Sequence, residues 1–310
     1  MKILSRPRGS AEEYGRWSVN PYVGCPHGCK YCYLKKGVWA KELGGNVPRL
    51  KKGIIDENHA FHLAMVEILE NKEQIINDGG LFMSFVTDPC AHETRELMFH
   101  ITAIAIEQGI SVTMLTKNAD FFQYSTMEGM INDAKRLMSR PDHGLIVHNG
   151  MMFCTWLGDL RKDLVKRLVS FGWTLTGHDE LEPNASTNEE RIATMKRMSD
   201  EGYKTWASIE PVIDFQSSYR MVCQALRAGC QHFKIGLLTS NTKPCREKYD
   251  VHDSLDFIEK VMVATEGKAT VYWKQSVREF IRTCRKPTLT DEELHKVFDL
   301  WKHSVGKVKH

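Results

Sequence analysis

With 310 residues, 42% of them hydrophobic and 26% charged, the chain holds enough apolar sequence to bury a full core, which excludes a disordered or low-complexity protein. No stretch approaches the roughly 20 consecutive apolar residues of a membrane span, and the opening MKILSRPRGS lacks the apolar centre of a secretory signal, so a soluble cytoplasmic protein without a membrane partner is expected. Net charge is only +3, but residues 1–53 carry 11 Lys or Arg against Glu12, Glu13 and Glu42, a local +8 that leaves −5 for the remainder.

The predicted elements alternate strand, loop and helix. GGLFMSFVTDP (79–89) is a short apolar run opened by glycines and closed by Asp-Pro, the form of a buried parallel strand. A helix is predicted from about His92 to Gln108, with Leu97, Ile101, Ile104 and Ala105 at helical spacing and Gly109 as its stop. ISVTMLTK (110–117) reads as the next strand. A stretch of mixed character follows from 118 to about 170, containing the apolar GLIVHNGMMFCTWLG, either an extra strand or an insertion.

FGWTLTG (171–177) reads as a further strand. Thr187 followed by Glu190 is a capping-box pattern for a helix carrying Ile192, Met195 and Met198 to Gly202. YKTWASIEPVI and CQHFKIGLLT repeat the strand pattern around a helix at 216–228, and ATVYWKQS (269–276) is a last candidate strand. A second capping box, Thr290 with Glu293, opens an amphipathic C-terminal helix. This alternation predicts an α/β fold of parallel strands with covering helices, with ligands at the carboxyl ends of the strands.

Within NPYVGCPHGCKYCY (20–33), Cys25, Cys29 and Cys32 crowd three thiols into eight residues. The chain has nine cysteines, an odd number, and in a reducing compartment these are ligands or core residues. Structural zinc takes four protein ligands, and no second cysteine pair follows; His27 as a fourth ligand is the zinc alternative. An iron-sulfur cluster held by three thiolates instead leaves one iron open to an outside ligand. Cys154, Cys223, Cys230, Cys245 and Cys284 show no paired spacing and are read as core thiols.

The C-x3-C-x2-C spacing with Tyr31 before the last cysteine resembles the signature of the radical S-adenosylmethionine (radical SAM) superfamily. That resemblance implies a (β/α)6-type partial TIM barrel over residues 1–240, with a cluster loop at 20–33 and an insertion at 118–170. A strand and helix extension over 241–310 would pack on it. It also implies a [4Fe-4S] cluster on Cys25, Cys29 and Cys32 whose open iron binds SAM. Reductive cleavage of SAM would then give a 5′-deoxyadenosyl radical, with Tyr31 near the adenine. An electron donor is required, and an acidic one such as flavodoxin or ferredoxin suits the basic N-terminal region.

The wording GSAEEYGRWSVNPYVGCPHGCKYCY, VTDPCAHETRELMFHITAIAIEQGISVTMLTKN and HDELEPNASTNEERIATMKRMSDEGYKTWASIEPVI further resembles the spore photoproduct lyase-like group, over roughly residues 9–237. SIEPVIDF and VYWKQS are also similar to a phage-associated radical SAM family. By the lyase-like resemblance Lys117 meets the SAM carboxylate, and Thr176, or Thr174, contacts SAM from the fourth strand. Ser84, Thr87 and Asp88 sit where the superfamily binds the methionyl amino group. Glu210, ending the fifth strand, is a candidate for the ribose hydroxyls or a substrate amine. Arg191 matches an arginine of the group and reads as a helix residue, exposed or ion-paired. One departure stands out. Phe85 occupies the position of the lyase's hydrogen-donating cysteine, which leaves Cys90 as the candidate donor and argues against spore photoproduct repair itself. A nucleobase, nucleotide or nucleic acid substrate is expected, with a peptide or small metabolite as the alternative and a metal-stapled binding module as the outlier.

Overall fold

The computed structural model describes residues 2–37, 40–120, 162–240, 243–244 and 248–283. GLIVHNGMMFCTWLG, Cys154, Cys245, Cys284 and the Thr290 capping box lie outside the described residues. The strands are β1 (Leu4–Ser5), β2 (Ser18–Val19), β3 (Tyr22–Val23), β4 (Arg49–Leu50), β5 (Leu81–Met83), β6 (Val112–Thr116), β7 (Val169–Thr174), β8 (Lys204–Val212), β9 (His232–Leu237), β10 (Thr239–Ser240), β11 (Lys243–Pro244) and β12 (Thr270–Trp273). The helices are α1 (Ala40–Leu43), α2 (Glu57–Asn77), α3 (Arg95–Glu107), α4 (Lys162–Leu168), α5 (Asn188–Asp200), α6 (Phe215–Arg227), α7 (Val251–Thr265) and α8 (Gln275–Thr283).

The large sheet runs β1-β2-β5-β6-β7-β8-β9-β12. Strands β2, β5 and β6 pair in parallel, as do β8, β9 and β12, and β1 is antiparallel to β2. The predicted α/β fold with parallel strands is therefore present, although the described strands form no closed barrel. Among the described residues no helix is long and apolar enough to cross a membrane. The chain divides into two compact units. The first is Met1–Phe171 with Leu181–Ser186 and Gly202–Lys204; the second is Gly172–Glu180, Thr187–Glu201 and Thr205–His310.

In the first unit, α2 buries Ala60, Ala64, Ile68 and Ile75 along one face, and the Asp56 side chain caps it by accepting from the His59 N–H at 2.7 Å. The Glu67 carboxylate on this helix accepts from the backbone N–H groups of Ile3 and Leu4 at 2.9 and 2.8 Å. The strand predicted across 79–89 ends early, at Met83, because Ser84 turns the chain with φ +64 and its hydroxyl accepts from the N–H of Val86 and Thr87. Helix α3 likewise starts later than predicted, at Arg95, after a turn in which the Thr94 hydroxyl donates to the Asp88 carbonyl.

In the second unit the Thr187 capping box forms as the sequence predicts. Parallel register puts Ala207, Ile209, Phe233, Ile235, Val271 and Trp273 on one sheet face, and the Phe257 ring of α7 meets Trp273 edge-on at 6.1 Å. The opposite face carries Trp206, Ser208, Lys234 and Tyr272, with the Lys234 ammonium 5.7 Å from the Trp206 ring centre and 5.9 Å from that of Tyr272. The predicted strand at 269–276 stops at Trp273, and Gln275 opens α8. Gly172 lies flat against Trp206: a Cβ there would sit 2.1 Å from its Cε2. Gly172→Ala is expected to cost about 1–3 kcal/mol by overpacking, read as a lower urea midpoint with unchanged m-value.

Candidate functional site

The cysteine loop begins where β3 ends. Gly24 has φ +86, and a Cβ on it would lie 2.6 Å from the Val47 carbonyl, so the entry to the loop requires glycine. The Cys25 N–H then donates to the Gly45 carbonyl at 2.9 Å, and the Cys32 N–H to the Cys29 carbonyl at 3.3 Å, closing the loop before a single 3-10 turn at Tyr33–Lys35. None of the three cysteines forms a disulfide. Together with Gly28, Leu34, Lys35, Leu43, Gly44 and Gly45 they line one pocket that opens to solvent.

This donor set discriminates between metals. A single zinc at about 2.3 Å from each sulfur pulls its ligands into one tetrahedron and needs four of them. Among the described residues no three His, Cys, Asp or Glu side chains, the three loop cysteines included, are arranged to hold one metal ion, and the pocket lining offers no fourth such residue. His27, the candidate fourth zinc ligand, is turned away: its Nε2 lies 2.6 Å from Asp88 Oδ2 and its Nδ1 3.3 Å from the Asn184 carbonyl. Three thiols around one cavity fit a cluster, in which each thiolate binds a different iron. Burial, reinforced by the nearby Asp88 charge, pushes the Cys25 thiol up to about 12, so metal binding there must displace a proton.

Asp88 ties the loop to the mouth of β5 and β6. Its Oδ1 accepts from the Cys90 N–H at 2.8 Å and the Thr116 hydroxyl at 2.7 Å, and its Oδ2 from the Lys117 N–H at 2.8 Å, beside His27. Burial acts to raise its pKa, but His27 and these donors outweigh it and hold the carboxyl at about 2.

Residues Leu181–Ser186 cross the same loop. The Leu181 carbonyl accepts from the Lys30 N–H at 2.9 Å; Asn184 donates its N–H to the His27 carbonyl and its Nδ2 to the Pro26 carbonyl; Ser186 donates to the Lys117 carbonyl. Within this strap, the Glu182 carboxylate accepts from the Tyr31 hydroxyl and lies 3.9 Å from the Lys117 ammonium, which stands 5.6 Å from the Tyr31 ring centre. Tyr31 and Lys117, 86 positions apart in sequence, are thus brought together with the cysteines in one unit. Sequence reasoning missed Glu182, and only its place in HDELEP marked it.

The remaining candidates are placed as follows. Ser84 is buried, and its hydroxyl is engaged with the turn described above. Thr87 is buried, and its Oγ1 has no hydrogen-bond partner among the described residues, an orphaned polar atom at the mouth of β5. Cys90 has no exposed surface, and burial, with Asp88 beside it, raises its thiol well above the ordinary range. In the second unit, buried Thr174 accepts through its carbonyl from Arg191 Nη1 at 2.8 Å, and Thr176 Oγ1 accepts from the His178 N–H at 3.2 Å. Arg191 lies on α5, as its helix reading has it, but it is fully buried and caps the end of β7, so it is not the exposed residue the sequence allowed. Both Glu210 oxygens are bound by Lys274 Nζ, at 2.8 and 2.7 Å, across Gly236, where a Cβ would stand 2.9 Å from Glu210 Oε1.

No protein-family model matches the chain. It is 24% identical over 208 residues to an uncharacterized protein of Methanocaldococcus jannaschii, covering 64% of this chain and 61% of that one. Among solved structures it is similar to SuiB of Streptococcus suis bound to S-adenosylmethionine, with TM-score 0.51 and 13% identity over 90% of this chain. It spans 54% of the SuiB chain, little more than half its length. A mutant of spore photoproduct lyase matches at TM-score 0.40 and 13% identity, covering 97% of this chain and 76% of that one. The chain therefore has the α/β fold of a protein crystallised with S-adenosylmethionine. The likeness to SuiB is one of fold, and it is the cysteine motif that resembles the radical SAM signature.

Proposed function

We propose that the chain is a radical SAM enzyme in which Cys25, Cys29 and Cys32 hold a [4Fe-4S] cluster with one iron left for S-adenosylmethionine. The observation that carries this reading is the pocket lined by three thiols, with no fourth Cys, His, Asp or Glu in its lining. The cluster, when bound, supplies the electron that cleaves the sulfonium to methionine and a 5′-deoxyadenosyl radical. The chain's own residues do the rest: Gly24, Asp88 and His27 hold the loop, Lys117 meets the ligand carboxylate, and Tyr31 flanks the adenine. Thr87 offers its unpartnered hydroxyl to the methionyl amino group, with Ser84 and Asp88 shaping that turn. Cys90 is the candidate hydrogen donor.

The exposed Lys30, Lys35, Lys36, Lys41, Arg49 and Lys52 near the cysteine loop suit an acidic electron donor such as flavodoxin or ferredoxin, working in the cytoplasm. The substrate we propose is a nucleobase, nucleotide or nucleic acid, with a peptide or small metabolite as the second reading. Anaerobic reconstitution with iron and sulfide, then incubation with deuterated nucleosides, oligonucleotides and peptides, tests both. Deuterium in 5′-deoxyadenosine from the nucleic-acid set is the expected result, and transfer from peptides alone replaces the substrate class. Purified protein with zinc and no iron or sulfide overturns the enzyme reading.

A further inference from the structure

A carboxylate with no exposed surface is costly to bury unless its charge is matched, and Glu182 is such a group in the first unit. It stands on the strap over the cysteine loop, takes the Tyr31 hydroxyl, and faces Lys117. The Lys117 side chain is 18% exposed, and its ammonium lies 3.9 Å from Glu182 Oε1, a charge contact longer than a hydrogen bond. Glu182 thus draws the ammonium inward, over the Tyr31 ring, without taking a close hydrogen bond from it. The strap itself is fastened at both ends, to Lys30 and His27 in the loop and to Lys117 and Ala119 after β6.

We propose that Glu182 is a positioning residue that acts through Lys117 and Tyr31, fixing the ammonium where the carboxylate of a bound sulfonium amino acid is received. This deepens the function proposed above and rests on it. Glutamine at this position can still accept from Tyr31, but it supplies no charge to keep the ammonium inside. Lys117 then relaxes toward water, and the ligand carboxylate loses its partner. A ligand without a carboxylate has no such interaction to lose.

The test is equilibrium dialysis of the anaerobically reconstituted full chain against labelled SAM and decarboxylated SAM, with thermal unfolding as a check on the fold. Glu182→Gln is expected to weaken SAM about tenfold while decarboxylated SAM changes less than twofold, and Glu182→Asp to recover part of the loss. Should Glu182→Gln fail to fold, Tyr31→Phe removes the hydroxyl but keeps the ring, and a smaller loss confined to SAM is expected. An equal loss for both ligands, or none for either, overturns the proposal and leaves Glu182 as a structural support. Wild-type protein that binds neither ligand fails at an earlier step, refuting the radical SAM reading and the proposal with it.

Discussion

Cys29→Ala is expected to lose its iron and sulfide on anaerobic reconstitution and to cleave no SAM above the background of the uncatalysed reaction. Cys29 is buried between two other loop thiols that line the same pocket. Two thiolates from one short loop would leave two irons of a cubane unligated by protein, where three would leave one. Iron content, visible absorption and 5′-deoxyadenosine formation should fall together. Cys230→Ala is the control. That thiol is also buried, but it faces the His232 carbonyl at 3.2 Å, and its loss should cost about 1 kcal/mol of stability without touching the iron. Normal cleavage by Cys29→Ala would remove the basis of the enzyme reading.

Asp88→Ala should be the most destabilising single substitution around the site, by about 3–5 kcal/mol, because it strips a buried charged acceptor from four donors at once. Asp88→Asn should recover little. Each carboxylate oxygen serves two donors, and an amide replaces one of those oxygens with a group that donates. The acid limb of stability carries the same signature. The Asp88 pKa is lowered from 3.8 to about 2 in the folded chain, so its contribution is full above the unfolded value and is lost as pH falls through about 2. Urea midpoints measured from pH 5 downward should therefore fall more for the wild type than for Asp88→Ala, which keeps only the acid dependence of the other carboxylates. Identical acid limbs for the two proteins would show that the carboxylate is not held as described.

What the sequence made legible follows from the range of each interaction. The cysteine spacing, the Thr187 capping box and the strands β6, β8 and β9 are local patterns, and each forms within a few residues of its predicted bounds. Helix α2 passed unread because Val66, Leu69 and Ile76 are exposed on it, which blurs the apolar stripe formed by Ala60, Ala64, Ile68 and Ile75. Helix α7 was missed as well, although Asp250 caps it by accepting from the N–H groups of His252 and Asp253. Glu182 could not be read from any window, since the hydroxyl it accepts from lies 151 residues away. His27 pairs with Asp88 across 61 residues, so only the fold could choose between a metal ligand and a loop anchor.

The Glu67 carboxylate beneath β1 has a further consequence. β1 stands at one end of the strand order, the position where an unsatisfied backbone invites a foreign strand to dock and begin a fibre. Two amides that such an intruder would need are already spoken for, by a side chain from a helix more than 60 residues further along. At this end of the sheet one acidic residue thus occupies donors that a foreign strand could otherwise take.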